Sequence, residues 1–204
     1  MIALKWIIIV VAAYFLGNIN GAILTSKYLM HDDVRRHGSG NAGLTNYFRT
    51  YGGFQSLLVI AVDMLKCIVA CYVARLLLPG DATHAKMVAA LACIIGHSYP
   101  VLAGFKGGKG ILCGAATGLM MDLRVFAIIM TVFIVLVVLT RFVSLGSVLA
   151  ATTFAVCMLV FYWGDWMTCV LAVLAAGFVV FRHRGNIVRL VKGTESKLTF
   201  HKKK

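Results

Sequence analysis

Carboxylates are scarce in this sequence. Seven Asp and Glu stand against twenty Lys and Arg in 204 residues, and Glu195 is the only Glu. Such a chain is a poor lipid phosphatase, which needs an acidic or His nucleophile and metal-binding carboxylates. Charge of either sign is thin, at 13% of residues, against roughly 25% in soluble domains. The six cysteines (67, 71, 93, 113, 157 and 169) lie in apolar surroundings without a CxxC pair. They read as small buried hydrophobes rather than metal or redox groups. There is no HExxH, so a zincin is excluded and no metal is expected. A Walker A loop fails too, because Lys109 is followed by Gly110 and Ala103 stands five before Gly108. No His has an Asp five residues later, so the HxxxxD pair of the common acyl-CoA-using glycerolipid acyltransferases is missing.

What remains is apolar sequence. Hydrophobic residues make up 61% of the chain and the mean hydropathy is +0.91, which marks an all-α polytopic membrane protein. Apolar runs between breakers predict seven transmembrane helices, near 4–24, 53–78, 86–103, 110–121, 125–140, 143–162 and 165–181. The stretch "LKWIIIVVAAYFLG" resembles a signal peptide, but it has a single Lys and no cleavage site before "NINGAIL", so it is taken as the first span. The run "ILCGAATGLMM" is short and holds two glycines, which suits a partial or re-entrant helix. With seven crossings, one side receives Lys27, Arg35, Arg36, Arg49, Lys106, Lys109, Arg141 and eight more cations in the tail. The other receives Lys5, Arg75, Lys86 and Arg124. The bias puts the N-terminus outside and the C-terminus in the cytoplasm.

The net charge of +13 is read through that topology. Nucleic acid is not expected as a partner, since most of the chain belongs to the membrane. Three polar segments, 35–52, 96–110 and 181–196, fall together on the cytoplasmic face of one domain spanning 1–204. They are rich in donors and nearly free of acids, which suits an anion, phosphate above all. Glycine permits close backbone approach, and Lys106, Lys109 and Arg49 bring full charge. Ser39, Asn41, Thr45, Asn46, His183 and Asn186 add neutral hydrogen-bonding groups. Lys66, inside an apolar run, either snorkels or pairs with Asp63. The "HKKK" tail reads as a solvated, lipid-attracted end. A membrane transporter for a phosphorylated anion is the alternative, weakened by the gathering of polar segments on one face and the want of an inverted repeat.

The motifs "GSGNAGLTNYFRTYG", "GHSYPVLAGFKGGKG" and "HRGNIVRLVKGTES" follow in order, and with "DMLK" and "RFVSLGS" they resemble the bacterial acyl-phosphate glycerol-3-phosphate acyltransferases, the PlsY family. The resemblance implies a seven-helix enzyme of the bacterial inner membrane with its active site on the cytoplasmic face. The reaction it implies moves an acyl group from acyl phosphate to the sn-1 hydroxyl of glycerol 3-phosphate, without CoA, metal or cofactor. The catalytic residues would be Ser39, Arg49, Lys106, His183 and Asn186. Substrate binding would fall to Gly40, Asn41, Thr45, Asn46, Gly107, Gly108, Lys109, Gly110 and Ser144, with the glycines shaping an acyl-phosphate cradle. His97 would orient its loop through a backbone bond, and Glu195 would pair with an Arg or cap a loop. The proton of the hydroxyl would pass either to His183 or to a substrate phosphate. Association with the soluble enzyme that forms acyl phosphate (PlsX) is also implied, besides contact with membrane lipid. Two departures stand out: the first span lacks a proline common in the family, which predicts a straighter helix, and Cys67 replaces a glycine after Lys66, which alters packing there.

Overall fold

The structure, a computed structural model, describes residues 1–198; the "HKKK" tail lies outside them. Among the described residues there are ten α-helices and no strand. They are α1 (Ile2–Asn18), α2 (Gly21–Leu29), α3 (Leu44–Tyr51), α4 (Ser56–Leu77), α5 (Ala82–Ser98), α6 (Ile111–Met121), α7 (Leu123–Thr140), α8 (Val143–Phe161), α9 (Trp166–Arg182) and α10 (Arg184–Val191).

Five segments are long and apolar enough to cross a membrane, with α1 and α2 counted as one, and a sixth arises if α9 and α10 are one span bent by 58°. At 1.5 Å per residue, α4 is ~33 Å long and matches a hydrocarbon core of ~30 Å. By the same rise α6 is only ~16 Å, so it is not a full span by length. The span expected at 86–103 instead begins at Ala82 and ends at Ser98. Pro100 follows, and the residue before a proline is driven out of the helical region.

The first span, Ile2–Leu29, is interrupted although it has no proline. It breaks at Ile19 and Asn20, both extended. The freed backbone groups find partners in α4. Lys66 Nζ donates to the carbonyls of Gly17 (3.2 Å) and Ile19 (2.6 Å). Asp63 Oδ1 accepts from the Gly21 amide at 3.1 Å and from Lys66 at 2.8 Å. The Asn20 side chain caps α2 by accepting from the Ile23 amide. An intramembrane ion pair thus satisfies a helix break, as low-dielectric burial demands.

Close packing sets the rest. A Cβ on Gly17 would overlap the Cys93 carbonyl oxygen, and one on Gly96 the Tyr14 carbonyl oxygen, so α1 and α5 meet backbone to backbone. Cys67 is buried, and its thiol donates to the Cys113 carbonyl at 3.4 Å. At the end of the bundle away from the polar segments, Lys86 donates to the Met120 carbonyl (2.9 Å) and the Tyr162 hydroxyl to that of Met121 (3.0 Å). These bonds tie the last turn of α6 to the start of α5 and the end of α8.

Two short helices lie inside segments that the sequence presents only as polar. In α3, Leu44, Tyr47 and Tyr51 pack against Val34, Ala42 and Val59, at helical spacing. In α10, Asn186 is buried while Val188 and Val191 are exposed.

Candidate active site

A cavity of about 300 Å³ opens where the three polar segments meet the turn between α7 and α8. One half is polar, with Thr45 and Arg49 from α3, Lys109 before α6, Ser144 of α8, and His183 and Asn186 at the bend into α10. The other half runs between helices and is walled by Phe126, Ile129 and Phe133 of α7, Phe154 of α8 and Ala175 of α9. The first turn of α6, Ile111 and Leu112, borders the polar half. Amides of a helix's first turn lack intrahelical partners and favour anions.

A hydrogen-bond chain organises the polar half. Lys109 Nζ donates to Asn186 Oδ1 at 2.6 Å, and Asn186 Nδ2 donates to Glu195 Oε1 at 2.7 Å. The Ser144 hydroxyl donates to the same oxygen at 2.7 Å, and Arg189 Nε to Glu195 Oε2 at 2.7 Å. Burial opposes ionisation of Glu195, but the bonds from Asn186, Ser144 and Arg189 prevail and hold its carboxyl below the ordinary value. Burial pushes Lys109 down to about 8, opposed by Glu195 and assisted by Arg189, Arg182 and Arg49. His183 Nδ1 faces the Val179 carbonyl at 2.8 Å. A carbonyl cannot donate, so Nδ1 carries the hydrogen and Nε2 is the acceptor of the neutral ring. Arg49 Nη2 donates to the Ser196 carbonyl at 2.6 Å, which fastens the C-terminal segment over α3.

The glycine-rich loop is held from below. The Gly108 amide donates to the His97 carbonyl at 3.1 Å, so it is not free to receive an anion. A Cβ on Gly107 would overlap that carbonyl, and one on Gly108 would overlap His97 Nε2. Both glycines thus pack against His97, and of their two amides that of Gly108 is engaged with its carbonyl. The His97 carbonyl holds the Gly108 amide, and its ring is itself fixed, with Nδ1 2.8 Å from Lys66 Nζ. Gly110, at φ +83°, turns the chain into α6 in a conformation that favours glycine.

The remaining predicted residues divide. Ser39 and Asn41 border the cavity, and Asn41 Nδ2 reaches the Gly107 carbonyl at 3.3 Å. Asn46 also borders it, but its amide is committed to the loop, accepting from the Ser39 amide and donating to the carbonyls of Val34 and His37. Lys106 and Gly40 are exposed and line a different, more open hollow, together with Gly107. Of the two loop lysines, Lys109 is the one in the cavity. Arg189 had not been singled out, although an Arg shortly before the only Glu was a signal for its partner. Arg182, whose Nη2 donates to the Gly108 carbonyl at 3.1 Å, offered no such signal.

A bundle of membrane-crossing helices around a cavity with polar and apolar walls defines an integral membrane protein with an internal site. Comparison with known proteins agrees. A family model described as glycerol-3-phosphate acyltransferase matches residues 7–193. The chain is 36% identical over 188 residues to a glycerol-3-phosphate acyltransferase of Thermoanaerobacter sp. (strain X514), covering 92% of this chain and 93% of the relative. It is 38% identical over 196 residues to one of Bacillus cytotoxicus, covering 96% of each. Two crystal structures of PlsY, an integral membrane glycerol 3-phosphate acyltransferase, superpose well. The glycerol 3-phosphate form gives a TM-score of 0.87 at 30% identity, over 95% of this chain and 96% of that one. The lysophosphatidic acid form gives 0.83 at 28% identity, over 96% of each. The chain belongs to the glycerol-3-phosphate acyltransferase family and is a multi-pass membrane protein.

Proposed function

We propose that this protein transfers an acyl group from acyl phosphate to the sn-1 hydroxyl of glycerol 3-phosphate, the first acylation of phospholipid biosynthesis. The carrying observation is the double character of the cavity, whose apolar half suits an acyl chain and whose polar half suits phosphate. Family membership favours this reading over a transporter.

An acyl phosphate is a mixed anhydride with a good leaving group, so the protein needs chiefly to hold two anions together and orient them. Lys109, Arg49 and the first turn of α6 offset the charge, while Ser144, whose hydroxyl hydrogen goes to Glu195, helps fix that carboxylate. His183 Nε2 accepts a hydrogen bond from the glycerol hydroxyl and orients it. That oxygen attacks the acyl carbonyl, the bond from carbon to the bridging oxygen breaks, and the departing phosphate takes the hydroxyl proton. The products are 1-acylglycerol 3-phosphate and inorganic phosphate.

The site lies on the cytoplasmic face of the inner membrane in this reading, within one domain of seven crossings. The basic bias supports that orientation. The bonds of Met120 and Met121 to Lys86 and Tyr162 support α6 as an end-to-end, though short, crossing. A soluble partner that makes acyl phosphate would deliver it to this face. The test is an assay of purified protein with palmitoyl phosphate and glycerol 3-phosphate, with EDTA and without CoA. Equal amounts of acylglycerol phosphate and inorganic phosphate are expected. Turnover with palmitoyl-CoA, or strict dependence on a metal, would overturn the donor assignment.

A further inference from the structure

The open hollow that takes in Lys106 adjoins the cavity across Ser39 and Asn41, which line both. Its cations come from three separate segments: Arg35 and Arg36, Lys106, and Arg182. Asp33 is its one carboxylate, and it is fully engaged, accepting from Arg35 Nε at 2.9 Å and Nη2 at 2.8 Å. Four cations against one acid leave three positive charges. Arg35 Nη1 is held by the Ala103 carbonyl at 2.8 Å. The Arg182 guanidinium lies 4.5 Å from the centre of the Tyr99 ring, and its Nε is buried with no hydrogen-bond partner among the described residues. Arg36 and Lys106 are exposed, and no side-chain hydrogen bond or ion pair of either is found among the described residues.

We propose that this hollow is a second phosphate-binding site, holding a phosphate group at the threshold of the catalytic cavity. Donors converging from three segments match the several acceptor oxygens of a tetrahedral anion, and the uncommitted guanidinium of Arg36 can grip it in bidentate fashion. Cations on the cytoplasmic end are expected of any membrane protein. Here they are concave, unneutralised and one residue away from the acyl-transfer site. The phosphate belongs either to a free phosphomonoester or inorganic phosphate, or to the headgroup of an anionic lipid. The inference rests on the proposed function only for which phosphate is carried.

Radiolabelled inorganic phosphate, titrated against the protein in neutral-lipid nanodiscs, should bind in the cavity and, separately, in the hollow. Arg36→Gln with Lys106→Gln should weaken one site by about tenfold or more and spare the other. Lys109→Ala should do the reverse. Thermal melting shows whether each variant is folded, and Arg36→Gln alone, at an exposed position, provides a milder form of the first. In nanodiscs containing phosphatidylglycerol, loss of the Arg36-dependent site identifies a lipid headgroup as the occupant, and its retention identifies free phosphate. Phosphate binding that is unaltered in the double variant overturns the proposal. A single site lost in Lys109→Ala would do so while leaving the proposed function intact.

Discussion

Lys109 and Asn186, 77 positions apart, meet with the ammonium 2.6 Å from the amide oxygen. The amide nitrogen is in turn 2.7 Å from Glu195 Oε1, so the orientation of the Asn186 side chain is determined at both ends. Glu195 is a positioning residue on this geometry. It aligns Ser144, Asn186 and Arg189, taking the one hydroxyl hydrogen of Ser144 while leaving Asn186 and Arg189 further N–H donors for a ligand.

Glu195→Gln removes the charge and presents an NH₂ group to one of three donors. Hydrogen bonds to charged groups contribute about 1.5–3 kcal/mol, so kcat/KM for glycerol 3-phosphate should fall ~10- to 150-fold. Glu195→Asp keeps the charge and should recover part of the loss. A role through Lys109 has its own signature, because Glu195 raises the Lys109 pKa. The alkaline limb of the pH profile should therefore move to lower pH in Glu195→Gln, which simple loosening of the fold would not produce.

That limb belongs to Lys109. With its pKa lowered to about 8, Lys109 is charged below that pH and neutral above it. Anion binding needs the charged form, so kcat/KM should fall as pH rises through about 8. On the acid side, a phosphate monoester gains its second charge near pH ~6. Lys109→Arg stays charged at every accessible pH and should lose the alkaline limb, whatever its absolute rate.

The loop glycines should fail through packing. Gly107→Ala and Gly108→Ala push a Cβ into the His97 carbonyl or ring. Both should lower the melting temperature as well as turnover, whereas Gly177→Ala, which faces open space, should change neither. Lost turnover with unchanged melting in the two loop variants would return them to a direct phosphate role.

The five long spans were legible because ~20 apolar residues have one plausible fate. The break at Ile19 and Asn20 was not, since its compensation by Lys66 and Asp63 comes from another helix. Helices α3 and α10 hide in charged motifs, although Leu44, Tyr47 and Tyr51 carry a faint helical period. The three motifs disclosed the site's composition but not its geometry. Lys106 and Lys109 look alike in "GFKGGKG", and the left-handed turn at Gly110 helps place one inside while the other faces out. Gly108 looked like an anion-binding amide until its donor was found spent on His97.

The buried pair in α4 should behave as a unit. Lys66→Met leaves the Asp63 carboxylate with only the Gly21 amide and the His97 ring beside it, and should destabilise the protein by up to about 3–5 kcal/mol. Asp63→Asn combined with Lys66→Met should cost less than the sum of the single changes in a double-mutant cycle. Additive losses would mean that the two side chains act separately.

The assignment of the phosphate site is tested most directly by comparing Lys109→Ala with Lys106→Ala. Initial rates would be measured with palmitoyl phosphate and glycerol 3-phosphate, free of CoA. Truncating one partner of a buried charged contact costs about 2–5 kcal/mol. Lys109→Ala should thus lose roughly 30-fold to several-thousand-fold in kcat/KM, while exposed Lys106→Ala should lose less than about tenfold. The opposite order, or near wild-type rates in Lys109→Ala, would contradict the site described here.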